Sequence, residues 1–108
     1  MRTEVRPGNP VISMFGDIDM ATADAFASAL APCVEVGGPV PIDLSGVSFM
    51  DSTGVYVLFD AAASLGDRGC IIVHGAHAGV AKVIELTGLA NARGNIHVVG
   101  CSVLVQAA

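Results

Sequence analysis

The sequence predicts a single α/β domain with a mostly parallel sheet of four to five strands, an antiparallel N-terminal edge and about three to four helices. Short apolar segments rich in β-branched residues alternate with longer helical segments along the 108 residues. Parallel strands need long crossover connections, and these helical segments are long enough to supply them. Because the chain contains no linker, repeat or low-complexity tract, residues 1–108 are expected to form one domain.

The N-terminal third predicts a hairpin and a first helix. The segment Pro10–Gly16 reads as a strand, preceded by a short edge strand over Thr3–Arg6 and a turn at residues 7–9. Thr22 can cap a helix that begins at Ala23 and ends near Val34, with its apolar residues on one face.

The middle of the chain predicts a second main strand and a buried helix. The strand covers Val40–Leu44, and Pro41 is expected near its start because proline cannot donate a ladder hydrogen bond. An irregular connection then leads to a helix over Ser52–Leu65, in which almost every residue is apolar or small. Such a composition predicts a helix buried on most sides, with Gly66 as its stop.

The C-terminal third predicts two more strands with a helix between them. Cys70–His74 reads as a buried strand and Ile96–Val99 as the last strand, and a helix runs from about Ala78 to Thr87 and ends at Gly88. The stretch from residue 102 to residue 108 predicts at most a short final helix, because it is short and uncharged.

Composition and charge exclude several classes of function. Hydrophobic residues make up 53% of the chain and charged residues only 14%, against an ordinary charged share of about 25%, which predicts a packed domain. The formal net charge is −5 and the five basic residues are scattered singly, so binding to nucleic acid is not expected. The most apolar stretch, Val55–Leu65, is interrupted by Asp60 and is too short to cross a membrane.

The cysteines and the start of the chain predict a cytoplasmic protein. Cys33, Cys70 and Cys101 form neither a disulfide framework nor a CxxC pair. If their strands are parallel, the sulfurs of Cys70 and Cys101 lie at opposite ends, about 15 Å apart at ~3.3 Å per residue. A disulfide needs Cα atoms within ~7 Å, so these cysteines are expected to be buried small hydrophobes. Because no apolar run follows the basic residues at the start of the sequence, a secretion leader is not expected.

No constellation for catalysis, metal or cofactor binding is apparent. His74 and His77 lie close in sequence, but no Asp, Glu or Cys completes a familiar metal site with them. The sequence lacks a GxxxxGK[ST] loop, a GxGxxG turn and a GxSxG elbow. We therefore expect a binding protein without a cofactor rather than an enzyme.

The most informative segment leaves the second main strand and enters the buried helix through Asp51-Ser52-Thr53-Gly54. Either Asp51 or Ser52 can accept a hydrogen bond from a free backbone N–H of the first helical turn. One interpretation is that these residues serve only as a helix cap. The alternative is that they form a functional loop.

Three segments resemble the STAS domain family, which is named for sulfate transporters and anti-sigma-factor antagonists. Phe49–Val55 is similar to the family's phosphorylation loop. Phe15–Asp19, followed by Ala21–Ala23, resembles its Gly-Glu-Leu-Asp segment and the helix start after it. Val80–Leu89 resembles the third helix and the Gly-Leu that closes it. The resemblance spans nearly the whole chain and implies a single STAS-like domain.

In the antagonist branch of that family, the serine after the loop aspartate is phosphorylated by an anti-sigma factor that is itself a serine kinase. The matching residue is Ser52. The resemblance implies that the unphosphorylated protein binds this kinase, that phosphorylation releases it, and that a serine phosphatase restores binding. Thr53 offers a second hydroxyl one residue later.

The same resemblance implies that Asp17 and Asp19, together with Asp51, Ser52, Thr53 and Gly54, line one end of the domain and face the partner. Asp17 stands where the family often has Glu. The alternative is that the aspartates only stabilise a turn, as Asp commonly does.

A second function remains open within the same fold. Some STAS domains are regulatory subunits of lipid-transporting ABC systems or parts of signalling scaffolds, without a phosphate cycle. The tail is shorter than the final helix usual in the family, which would leave apolar surface for a partner or a homodimer. The sequence leaves the oligomeric state open.

Overall fold

The computed structural model describes residues 2–5, 11–87 and 94–99. Within these residues, five strands form one sheet in the order β1 to β5, and three helices connect them. The elements in chain order are β1 (Arg2–Val5), β2 (Ile12–Ile18), α1 (Ala23–Val36), β3 (Gly38–Met50), α2 (Ser52–Leu65), a 3₁₀ turn (Gly66–Arg68), β4 (Gly69–His74), α3 (Ala78–Thr87) and β5 (Ile96–Val99).

The sheet has the predicted directions. β1 pairs antiparallel with β2, and each of the pairs β2–β3, β3–β4 and β4–β5 is parallel. The predicted fold class is therefore confirmed. None of the helices in the described ranges is long and apolar enough to cross a membrane.

The core lies between one face of the sheet and the helices. On the three central strands the residues on this face are buried in phase, and they form one cluster with buried residues of all three helices. The largest fully buried side chains of the cluster are Phe26, Ile12, Met14, Ile18, Leu30, Ile42, Leu44, Met50, Leu58, Leu65, Ile71 and Ile84. Burial of a side chain of this size contributes about 1.5–3 kcal/mol, so this layer is the main source of stability.

The predictions for α2, α3 and β5 are confirmed in their bounds, whereas α1 is longer than predicted. α1 continues two residues past Val34 to Val36. The Arg68 guanidinium donates to the carbonyl oxygens of Val34 (3.3 Å) and Glu35 (3.4 Å), which have no partner within the helix. Gly37 ends α1 at φ 84°, and its N–H donates to the Cys33 carbonyl (3.0 Å).

The C-terminal end of α2 is held by a side chain from the start of β5. The Asn95 amide nitrogen donates to the carbonyl oxygens of Ala62 (2.9 Å), Gly66 (3.3 Å) and Gly69 (3.3 Å). The backbone carbonyl of Asn95 accepts from the N–H of Ile71 (2.8 Å). This residue therefore joins α2, the 3₁₀ turn, β4 and β5.

The prediction that the second main strand ends at Leu44 was wrong. β3 continues to Met50, and the predicted irregular connection is strand that pairs with β2. Two register shifts, between Ser13 and Phe15 and between Gly16 and Asp17 of β2, each place one extra residue on β3. These β-bulges break the simple alternation by which a strand is recognised in a sequence. β2 also begins and ends two residues later than the predicted strand Pro10–Gly16, because its paired residues are Ile12–Ile18.

Pro41 is the fourth residue of β3, inside the strand rather than at its first position. It lies opposite Ile72 of β4, and the described register with β2 begins one residue later, at Ile42. A residue without an N–H is tolerated there because one flank of β3 is not yet paired in the described sheet. Some sequence predictions concern residues outside the described ranges. These are the turn at residues 7–9, the helix stop at Gly88, Cys101 and the C-terminal tail.

Candidate functional site

The ends of β2 and β3 meet the beginning of α2 at one edge of the sheet. Asp17 lies opposite Phe49 and Ile18 opposite Met50 in the parallel register. The N–H of Asp51 donates to the carbonyl of Ile18 (3.1 Å), which fixes the start of α2 to the end of β2. Because the carboxyl ends of parallel strands share an edge, the two predicted segments, residues 17–19 and 51–54, are brought together.

Asp51 is the N-cap of α2, which decides between the two caps that the sequence left open. Its backbone is extended (φ −103°, ψ −173°), and its Oδ1 accepts from the N–H of Thr53 (2.9 Å). The Thr53 hydroxyl also donates to this oxygen. The Asp51 carbonyl accepts from the N–H of Gly54 (3.1 Å), which closes the first turn.

Ser52 is the first residue of α2 and is exposed. Within the described part of the chain, no residue forms a hydrogen bond with its hydroxyl, because the capping position is already filled by Asp51. The neighbouring Thr53 is only half-buried, but its hydroxyl is engaged with Asp51. Of these two hydroxyls, that of Ser52 is the one free to meet another molecule.

Gly54 is buried beneath this turn and contributes close packing. A Cβ atom at this position would lie 2.7 Å from Cγ2 of Ile18 and 2.8 Å from Cγ of Met50. Both distances are shorter than real Cβ contacts. The absence of a side chain at Gly54 therefore lets α2 approach the ends of β2 and β3 closely enough to hold Ser52 at the edge.

Asp19 has a structural part in the turn before α1. Its Oδ1 accepts from the N–H groups of Ala21 (3.0 Å) and Thr22 (3.2 Å), as predicted for an Asp that stabilises a turn. The Asp17 side chain is exposed and shows no hydrogen bond to any residue of the described ranges. The two aspartates therefore differ: one carboxylate builds the turn and the other is free.

Thr22 occupies the N-cap position of α1, but the prediction that it caps the helix was wrong. Its side chain makes no capping hydrogen bond. The Thr22 hydroxyl instead donates to the Asp17 carbonyl (2.8 Å) and accepts from the Asp19 N–H (3.0 Å). Because these hydrogen bonds connect the turn to the end of β2, the hydroxyl is not available to cap the first turn of α1.

The site is acidic. Asp17, Asp19 and Asp51 lie in the same two segments as Ser52, and residues 17–19 and 51–54 contain no Lys or Arg. The N-terminal end of α2, where backbone N–H groups point outward, adds a positive potential at this edge.

Exposed apolar side chains also lie at this edge, although the sequence pattern does not mark them as part of the site. Met20 is in the turn after β2, Phe49 is at the end of β3 and Tyr56 is on α2, each at least half exposed. The available signal was the spacing of Tyr56, four residues after Ser52, which places both on one face of a helix. In an almost wholly apolar helix, that signal is indistinguishable from core.

Comparison with known proteins establishes the family. The model of the STAS domain matches residues 1–98 of this chain. The chain therefore belongs to the STAS domain family, and the resemblance seen in three sequence segments is confirmed.

The relatives found include regulators of sigma factors. The anti-sigma-B factor antagonist of Listeria monocytogenes is 37% identical over 82 residues, which cover 74% of this chain and 72% of the relative. The crystal structure of an anti-sigma factor antagonist from Mycobacterium paratuberculosis is 30% identical, has a TM-score of 0.68, and aligns over 89% of this chain and 82% of that one.

A third similarity concerns the fold alone. The structure of the anti-sigma factor antagonist SpoIIAA in its unphosphorylated form has a TM-score of 0.69 at 19% identity, over 90% of this chain and 87% of that one. The sheet and helices described above are thus the STAS fold.

Proposed function

We propose that this protein is an anti-sigma-factor antagonist whose binding to its partner is controlled by phosphorylation of Ser52. In this proposal the partner is an anti-sigma factor with serine kinase activity, bound while Ser52 carries a free hydroxyl. Binding the kinase frees a sigma factor, so the protein regulates transcription indirectly, in the cytoplasm. The observation that carries the proposal is the Ser52 hydroxyl, which is exposed and unbonded among the described residues while that of Thr53 is held by Asp51.

The chemistry belongs to the partner, and this chain is its substrate. The Ser52 oxygen forms a bond to the γ-phosphorus of ATP, the bond from that phosphorus to ADP breaks, and the serine proton passes to a base of the kinase. A serine phosphatase reverses the modification by hydrolysis of the phosphate ester. The relatives named as anti-sigma factor antagonists support this class of function.

Phosphorylation at this position changes charge without demanding a change of fold. The phosphate adds ~1.5–2 negative charges at the N-terminal end of α2, where the helix dipole and free N–H groups tolerate an anion. A partner surface fitted to a neutral hydroxyl then meets this charge beside Asp17, Asp19 and Asp51. A coupling of about 1–3 kcal/mol corresponds to roughly 5- to 150-fold in affinity, which is enough to switch a complex.

The proposal is tested with two baits, Ser52→Ala and Ser52→Glu, in pull-downs from the native cell followed by mass spectrometry. Ser28→Glu, which adds the same charge at an exposed position of α1, is the matched control. We expect a kinase-like ATPase to be retained by the Ala bait and the control bait and lost from the Glu bait. If the Ala and Glu baits retain the same transporter subunits, the proposal is wrong and a structural role in a lipid-transporting ABC system replaces it.

The modification itself is tested by incubating the purified chain with the captured kinase and ATP. We expect phosphopeptide mapping to locate the phosphate on Ser52 and Ser52→Ala to abolish it. Phosphate on Thr53 in the wild-type protein would contradict the assignment, because that hydroxyl is engaged with Asp51.

A further inference from the structure

The exposed apolar side chains are distributed unevenly over the domain. Large hydrophobic residues that are exposed in the described part of the chain are Met20, Val36, Phe49, Tyr56, Val98 and Val99. The aromatic members and the one methionine all belong to the segments that meet around Ser52. Their exposed fractions are 80% for Met20, 50% for Phe49 and 55% for Tyr56. Isolated exposed hydrophobic residues need no explanation, but three in segments that meet at one edge do.

Each of the three segments is tied to the others by backbone geometry. Tyr56 lies one helical turn after Ser52, with Cβ atoms about 5–6 Å apart in that spacing. Phe49 lies opposite Asp17 in the register of β2 and β3. Met20 follows β2 by two residues, and the last residue of that strand accepts the hydrogen bond from Asp51. The three apolar side chains therefore belong to the segments that meet at the edge where Ser52 lies.

We infer that Met20, Phe49 and Tyr56 are the apolar anchors of the interface that Ser52 controls, and that the partner presents an apolar depression rimmed by Lys or Arg side chains. This inference rests on the proposed function. It identifies the chemistry of the partner surface. It also distinguishes the three residues that contribute binding affinity from Ser52, which controls whether the partner binds.

The apolar part of the inference follows from side-chain type. Tyr, Phe and Met are enriched in the buried centres of protein interfaces, and a few such residues carry most of the binding free energy. Tyr56 adds a phenolic hydroxyl that can remain at the rim while its ring is buried. A phosphate on Ser52 would stand next to this ring, so the partner would have to desolvate it to keep the apolar contact.

The basic rim follows from charge complementarity. Asp17, Asp19 and Asp51 lie in the segments that carry the three anchors, residues 17–20 and 49–56, and these segments contain no Lys or Arg. The charged side chains of the two segments are therefore all carboxylates. Complementary charges at the rim of an interface chiefly raise the association rate and make it sensitive to salt.

The test uses the partner that the Ser52→Ala bait retains, identified and purified, with binding measured by isothermal titration calorimetry. The variants are Tyr56→Ala and Phe49→Ala, and the control is Val36→Ala, an even more exposed apolar residue at the C-terminal end of α1, away from Ser52. We expect each anchor variant to weaken binding by about 10- to 100-fold and the control to stay within about twofold. Thermal unfolding of each variant checks that these exposed substitutions leave the fold intact, as we expect.

The outcomes separate the inference from the proposal on which it rests. If Ser52→Glu loses the partner while Tyr56→Ala and Phe49→Ala bind like the wild type, the anchors are refuted and the switch stands. If Ser52→Glu binds as well as Ser52→Ala, or if the Ala bait retains no protein, the proposed function itself fails. The association rate constant is measured separately by stopped-flow mixing while the NaCl concentration is raised about tenfold, from roughly 50 to roughly 500 mM. A rate constant that does not fall over this range would overturn the basic rim.

Discussion

Substitution of Gly54 by alanine tests how tightly α2 packs on the ends of β2 and β3. The new Cβ would lie 2.7 Å from Ile18 and 2.8 Å from Met50, whose side chains are fully buried and cannot move aside freely. Overpacking of this kind costs about 1–3 kcal/mol. Alanine also improves helix propensity by up to about 1 kcal/mol over glycine. We therefore expect Gly54→Ala to lower the free energy of unfolding by about 1–2 kcal/mol.

The matched control is Gly79→Ala, in the first turn of α3. A Cβ at Gly79 would meet no atom within 4 Å, so only the gain in helix propensity applies. We expect this variant to be unchanged or to gain up to about 1 kcal/mol, opposite in sign to Gly54→Ala. Urea denaturation measures both, and thermal melts should separate them by roughly 4–8 °C for each kcal/mol. If Gly54→Ala is as stable as the control, the account in which close packing at Gly54 holds Ser52 at the edge is refuted.

Two further predictions concern side chains that end or begin α2. Asp51→Ala should cost about 0.5–2 kcal/mol because it removes the cap of α2, whereas Asp51→Asn and Ser52→Ala should stay within about 0.5 kcal/mol of the wild type in urea denaturation. A larger loss for Ser52→Ala than for Asp51→Ala would contradict the assignment of the cap. Asn95→Ala should cost about 1–3 kcal/mol since it removes the side-chain donor to three backbone carbonyls, of which that of Ala62 keeps a second donor, the N–H of Gly66. Asn95→Asp should cost more, because it turns a carboxylate toward those oxygens, and equal stability of the two variants would refute this account.

The elements that the sequence predicts well are those with one dominant signal. The bounds of α2 follow from a largely apolar run between a cap and Gly66, and α3 and β5 are equally well delimited. β3 was predicted too short because its bulges interrupt the alternation of buried and exposed residues after Leu44. Pairing with β2 holds that part of the strand in place, and such pairing is a long-range contact that a local pattern does not contain.

The site could be predicted in its location but not in its details. Family resemblance placed residues 17–19 and 51–54 together, and the parallel register agrees. The choice of Asp51 over Ser52 as the cap depends on backbone geometry, because both residue types are good caps. The exposure of Tyr56 depends on which face of α2 lies against the sheet, and an apolar helix does not reveal that face. The assignment of Ser52 as the phosphorylated residue stays a prediction.

The two bulges of β3 also bear on how the length of this strand can change over evolution. Each bulge adds one residue, so the first reverses which side chains face the helices and the second restores the original phase, which carries Val47 and then Met50 into the core. Loss of a single residue between Ser45 and Ser48 would place Met50 on the solvent face and reverse the orientation of the start of α2. Loss of one residue from each of the two bulges would leave the phase intact. Insertions and deletions in this stretch should therefore survive selection in pairs, and a homologue shortened by one residue should carry a compensating change in β2.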